Sequence, residues 1–156
     1  MSEFAPDLLH RLVWELDRAA DRMLRAHLDV PFSRAVFLFT LQRRGTLTQH
    51  ELALALGYSD PAVSTMLKEL GADGFVRTEA SPDHARKRLV TITPKGRTIV
   101  RKGRALLAAE FGSLMSAAKV NQREYVRLTT RILDALSSKK EDAGEGKRTR
   151  IGAVAQ

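Results

Sequence analysis

The stretch from Thr48 to Gly71 marks two helix starts and two helix stops in close succession, and a chain so punctuated has few ways to fold. Thr48-Gln49-His50-Glu51 fits a capping box, in which the Thr48 hydroxyl accepts from the Glu51 N–H and the Glu51 carboxylate reaches back to Thr48. Leu47 and Leu52 supply the flanking hydrophobic staple, so a short helix is predicted from Thr48 to about Leu56, closed by Gly57. After the turn Tyr58-Ser59, Asp60 is read as an N-cap with Pro61 at the first helical position, where a missing N–H costs nothing. Val63, Met66, Leu67 and Leu70 then give that helix one buried face up to Gly71. Two short helices joined by a Gly-containing turn form a helix-turn-helix.

Past Gly74 the apolar period changes to two. Phe75–Glu79 and Arg88–Thr93 read as strands, and Ala80–Ala85 reads as the loop between them, so a hairpin wing is expected. On the N-terminal side, residues 7–28 form a helix whose apolar face is wider than a surface helix needs, which predicts an enclosed helix. Pro31 ends it, and Ser33 is read as the cap of a second helix running to about Arg44. Pro94-Lys95-Gly96 opens a long helix to about Lys119. A last helix starts at Asn121, capped with Glu124, and its periodicity stops at Ser137-Ser138. Residues 139–156, rich in Lys, Glu and Gly, are expected to be disordered.

The fold class expected is therefore mainly α with a small β-hairpin, a winged helix-turn-helix domain with N- and C-terminal dimerisation helices. The boundaries read from the pattern are 1–30 for the N-terminal dimerisation helix, 31–104 for the winged domain, 105–138 for the C-terminal dimerisation helices and 139–156 for a basic tail. Dimerisation is argued from supply. The helices 7–28, 94–119 and 121–137 carry more apolar surface than a winged helix of ~70 residues can cover, and such patches mark interfaces.

Charge sharpens the functional reading. The net charge is +8, and the segment His84–Ala109 holds eight bases and no acid, which equals the whole excess. A concentrated basic segment across a hairpin and the following helix points to nucleic acid. A helix fits the major groove, where base edges carry a distinguishable donor and acceptor pattern. With one face of the second short helix committed to the core, Pro61, Ala62, Ser64, Thr65 and Lys68 are left to face double-stranded DNA. Ser64 and Thr65 can bond phosphates or base edges, Lys68 can reach phosphate or guanine, and Pro61 and Ala62 can touch a thymine methyl. On the wing, Arg86, Lys87 and Arg88 are candidates for a minor groove and for phosphates. Arg43, Arg44, Arg77, Lys95 and Arg97 are secondary candidates.

Leu47–Ala53 through Gly57, the passage Leu70–Arg77, and Leu89-Val90-Thr91-Ile92-Thr93-Pro94-Lys95-Gly96, taken in this order, resemble the MarR family of winged-helix transcriptional regulators over about residues 5–138. The resemblance implies an obligate homodimer held by the first and last helices, binding a pseudo-palindromic operator, often with release by a small aromatic or phenolic ligand; the reading drawn from it is a cytoplasmic repressor. Thr65 stands where many members place Arg. His10, Trp14, Phe37 and Phe39, with Arg11 available for a carboxylate, are read either as the lining of a ligand cavity between the first two helices and the winged domain or, as aromatic residues at helical spacing more often are, as core packing.

Other classes fit less well. The chain has no cysteine, which excludes a disulfide scaffold, a thiolate nucleophile and a thiol redox sensor. Its four His residues show no metal-ligand spacing, and neither a phosphate loop nor a nucleophile elbow is present, so no metal, cofactor or catalysis is expected. No run approaches the ~20 apolar residues of a membrane span, and the Met1–Pro6 start has no signal-like core, so a soluble intracellular chain is expected. The competing reading is a winged-helix module that binds protein or RNA.

Overall fold

The structure, a computed structural model, describes residues 4–82, 84 and 87–151, with side chains as far as Lys139. In chain order the elements are α1 (Ala5–Leu28), α2 (Phe32–Arg44), β1 (Leu47–Thr48), α3 (Gln49–Leu56), α4 (Asp60–Ala72), β2 (Val76–Ala80), β3 (Arg88–Ile92), α5 (Pro94–Ala117) and α6 (Gln122–Ile151). They fall into two compact units, residues 1–108 and 109–156.

The first unit is built around one core. Phe37, Leu38 and Leu41 of α2, Leu52 and Ala53 of α3, and Val63, Leu67 and Leu70 of α4 meet Val76, Val90 and Ile92 of the sheet. Leu24 of α1 and Val100 of α5 close it, so the C-terminal half of α1 shares the core of the winged domain. Burying each of these Leu, Val, Ile and Phe side chains contributes about 1.5–3 kcal/mol. The apolar spacing of α4 is thus satisfied on one face only, which fixes the opposite face toward solvent.

Three local expectations change. The wing is part of a three-stranded antiparallel sheet in the order β1-β3-β2, because Leu47 and Thr48 pair with Val90 and Leu89. A two-residue strand leaves no period to read. The N-cap of α4 is Ser59, whose Oγ accepts from Ala62 N at 3.4 Å, so Pro61 sits one position further in and the Asp60 carboxylate is spared for another partner. Nor does Ser33 cap α2. The Asp21 carboxylate of α1 accepts from Phe32 N at 2.8 Å and from Arg25 Nε at 2.7 Å, and that amide bond, with the guanidinium second, lowers the Asp21 pKa.

The remaining caps follow the sequence closely. Thr48 and Glu51 make both halves of the capping box, and Gly57 takes a left-handed φ of 69°, open to glycine at little cost, where α3 turns into α4. Asn121 Oδ1 accepts from Glu124 N at 3.1 Å at the head of α6. That helix passes Ser138 and runs to Ile151, where a disordered tail was expected. Lys, Glu and Ala are good helix formers, and extending a helix already begun at Gln122 needs no new nucleus. Residues 152–156 of the expected tail lie outside the described residues.

Candidate nucleic-acid interface

The helix-turn-helix presents α4 through a rigid frame. Val63, Leu67 and Leu70 are buried, Pro61, Ala62, Thr65 and Lys68 are exposed, and Ser64 and Met66 are each half-buried. Thr65 Oγ1 donates to Pro61 O at 3.2 Å, leaving the oxygen lone pairs and the methyl outward. The exposed surface is therefore small, hydroxylic and basic, a shape that allows close approach of a groove wall.

The far end of α4 is held by cations from two other elements. Arg34 of α2 forks between Glu69 Oε2 at 2.8 Å and Asp73 Oδ2 at 2.9 Å, with only 26% of its side chain exposed. Lys95 of α5 donates to Asp73 O at 2.7 Å and stands 5.0 Å over the Phe75 ring. Positive groups suit a helix C-terminus, where carbonyl dipoles point outward. Arg34 was missed in the sequence because its partners are 35 and 39 residues away. Lys95, expected as a secondary DNA contact, has a bracing task instead. Arg77 is likewise engaged, with Glu79 Oε1 at 2.6 Å.

The wing is anchored to the reading head by β1. Thr48 is at once the last residue of β1, paired with Leu89, and the N-cap of α3. That double role sets the start of α3 beside the return of the wing. Thr48, Gln49, His50, Glu51 and Asp60 line one open groove together with Lys87 and Arg88. Glu51 has a lowered pKa, first because Thr48 N donates to it at 2.8 Å, then through the Thr48 hydroxyl, with Lys87 adding a smaller attraction. The wing loop is closed by Ser81 N donating to Lys87 O at 2.8 Å and Lys87 N donating to His84 O at 2.8 Å. Lys87 and Arg88 are exposed; Arg86 lies outside the described residues.

The expected ligand set is dispersed by the fold. Phe37 is fully buried in the core and stacks on Tyr58 at 5.7 Å between ring centroids. His10 and Arg11 are exposed on α1, and Trp14, 53% exposed, packs under the Arg18 guanidinium at 4.5 Å. Phe39 is half-buried below Arg104. Helical spacing of aromatic residues places them on faces but does not say which face is core. Among the described residues no three His, Cys, Asp or Glu side chains gather as a metal site would require, and no helix is long and apolar enough to cross a membrane.

Apolar exposure is concentrated in two places. On α1 and the residue before it, Phe4, Leu8, Leu9, Leu12, Val13 and Trp14 are exposed, all ahead of the buried Ala20 and Leu24. On α6, Val126, Leu128, Ile132, Leu133 and Leu136 are exposed. Patches of this size on long helices call for a covering surface.

A helix-turn-helix followed by an antiparallel wing, with long helices before and after it in the chain, defines a winged-helix protein. Residues 28–87 match the model of the MarR family, and the resemblance read from the sequence is thereby shown over the reading head. The fold is that of solved MarR-family structures. It is similar to wild-type MarR from E. coli in the apo form, at 21% identity and a TM-score of 0.76, covering 87% of this chain and 98% of that one. The S. aureus MepR–DNA complex matches at 21% identity and a TM-score of 0.71, covering 88% and 98%. The transcriptional regulator BldR from Sulfolobus solfataricus matches at 18% identity and a TM-score of 0.71, covering 84% and 93%. No curated protein matches the chain closely enough to serve as a relative by sequence.

Proposed function

We propose that this chain is a DNA-binding transcriptional regulator that reads double-stranded DNA with α4 and grips its backbone with the wing. The observation that carries the reading is the outward face of α4, where Pro61, Ala62, Thr65 and Lys68 are exposed, together with a wing whose return strand begins at Arg88, with Lys87 exposed just before it. The second helix of such a motif lies in the major groove and its N-terminal residues meet base edges. Lys68, Arg86, Lys87 and Arg88 supply phosphate or minor-groove contacts, which give affinity and salt dependence, while Thr65 and the half-buried Ser64 contribute to sequence choice. Two solved structures of similar fold support the reading by what they contain, the MepR–DNA complex and a MarR mutant complexed with operator DNA.

The finer proposal is a homodimeric repressor on a pseudo-palindromic operator, released by a small aromatic or phenolic ligand. The exposed apolar residues of α1 and of α6 support dimerisation, since each set would stay wet in a monomer. Selection of binding sites from random double-stranded DNA tests the core of the reading. The expected product is an inverted repeat with half-sites one helical turn, ~10 bp, apart. Failure to enrich any sequence, with equal binding to single-stranded RNA, would overturn it.

A further inference from the structure

The first turn of α4 carries an acid that does not cap it. Asp60 is the first residue of α4, yet capping there belongs to Ser59. The Asp60 carboxylate turns to α3 instead, where His50 Nδ1 lies 3.3 Å from each of its oxygens. Gln49 Nε2 donates to the Asp60 carbonyl oxygen at 3.2 Å, so the residue is held by both main chain and side chain. An ionised carboxylate only accepts, which makes Nδ1 the protonated ring nitrogen. Even so, 53% of the Asp60 side chain is exposed, and it opens on the groove that Lys87 and Arg88 share.

An anion on a surface that meets phosphates weakens binding unless it finds a donor on a base edge. The major groove offers two such donors, cytosine N4 and adenine N6. Adenine sets its N7 acceptor beside N6, which repels a carboxylate; cytosine does not. We infer that Asp60, aimed by His50, reads a cytosine in each half-site by accepting from N4–H, with His50 as a positioning residue. The inference rests on the DNA reading proposed above and names one base that it requires.

Site selection from random DNA with the full chain and three variants tests it, with circular dichroism to confirm that each variant folds. The wild-type chain is expected to prefer cytosine at one position per half-site by about tenfold, the usual scale for one specific base contact. Asp60→Asn should move that column to adenine, because an amide can bond N6 and N7 together. Asp60→Ala should level the column and raise affinity for unrelated DNA. His50→Ala should keep cytosine but weaken the preference. Identical columns of identical strength in all four proteins would overturn the inference while leaving DNA recognition intact. No enrichment by the wild-type chain would overturn the DNA reading and this inference with it.

Discussion

Gly96 sits in the first turn of α5, against Phe75 and Ile92, and replacing it with alanine measures how tightly that turn is clamped to the base of the wing. A Cβ at this buried position would stand 2.2 Å from Phe75 O, 2.8 Å from Ile92 Cγ1 and 3.1 Å from Phe75 C. Carbon–oxygen contacts settle near ~3.3 Å, so helix and strand must part by about 1 Å. The obstructing atom is backbone and cannot rotate away. Phe75 O also accepts from Thr93 N at 3.0 Å and Thr93 Oγ1 at 3.1 Å, and Thr93 Oγ1 in turn accepts from Gly96 N at 3.1 Å. Overpacking costs about 1–3 kcal/mol. Stretching this cluster adds about 1 kcal/mol, so Gly96→Ala is expected to destabilise the chain by about 3 kcal/mol. Gly112 is the internal control. It lies in the same helix, its Cβ would meet only Gln122 Oε1 at 4.0 Å, and Gly112→Ala should stabilise by about 0.5–1 kcal/mol through helix propensity. Urea unfolding followed by circular dichroism at one fixed protein concentration reads both. With an m-value of about 2 kcal/mol/M the midpoint should fall by about 1.5 M for Gly96→Ala and rise by a few tenths for Gly112→Ala. If Gly96→Ala unfolds at the wild-type midpoint, the close approach of α5 to Phe75 is not a feature of the native protein.

Other expectations are independent of that clamp. Arg34→Ala removes two ion pairs from the end of α4 and should cost about 1 kcal/mol in urea while weakening DNA binding several-fold; unchanged binding in a fluorescence titration would show that α4 is oriented without it. Thr48→Ala should cost about 1 kcal/mol by removing the capping box. Because the folded Glu51 pKa is lowered, the wild-type chain has this carboxylate's contribution at neutral pH and loses it as pH falls through the folded value; acid titration of stability should therefore be shallower in Glu51→Gln, which has no carboxylate to titrate, and parallel curves would contradict the assignment. Lys87→Ala should weaken binding evenly across DNA sequences and reduce the salt slope by about 1, whereas a change confined to one sequence would place Lys87 on a base. Leu133→Asp on α6 should give a monomer by light scattering; an undiminished dimer would move the interface elsewhere.

Much of the reading head was legible because its signals are local. A capping box spans three residues, a glycine stop needs only its own φ, and the inward face of α4 repeats at three and four, so Thr48, Glu51, Gly57, Val63, Leu67 and Leu70 could be placed by spacing alone. The same locality left α4 with an outward face that the chain's charge suggested how to use. Where a signal was one residue wide it slipped, as at Ser59 and Asp60, because both can cap a helix and only the surroundings choose between them. Spacing left the surroundings of the candidate ligand residues open for a related reason. Phe37 and Trp14 look alike as apolar aromatics, but one is fully buried against Tyr58 and the other lies on the exposed half of α1.

By itself the sequence determined the order of the helices and of the wing's two long strands, the helix-turn-helix, the one-sided burial of α4 and the concentration of charge in residues 84–109. Each of these depends on residues within a turn or two of one another, whose geometry the backbone fixes in advance. Tertiary structure alone decided that β1 joins the wing to the head of α3, that Asp21 caps a helix eleven residues on, that Arg34 braces α4 and that His50 holds Asp60. Such contacts form only when packing of the core brings distant segments to hydrogen-bonding distance, and no spacing along the chain encodes that distance.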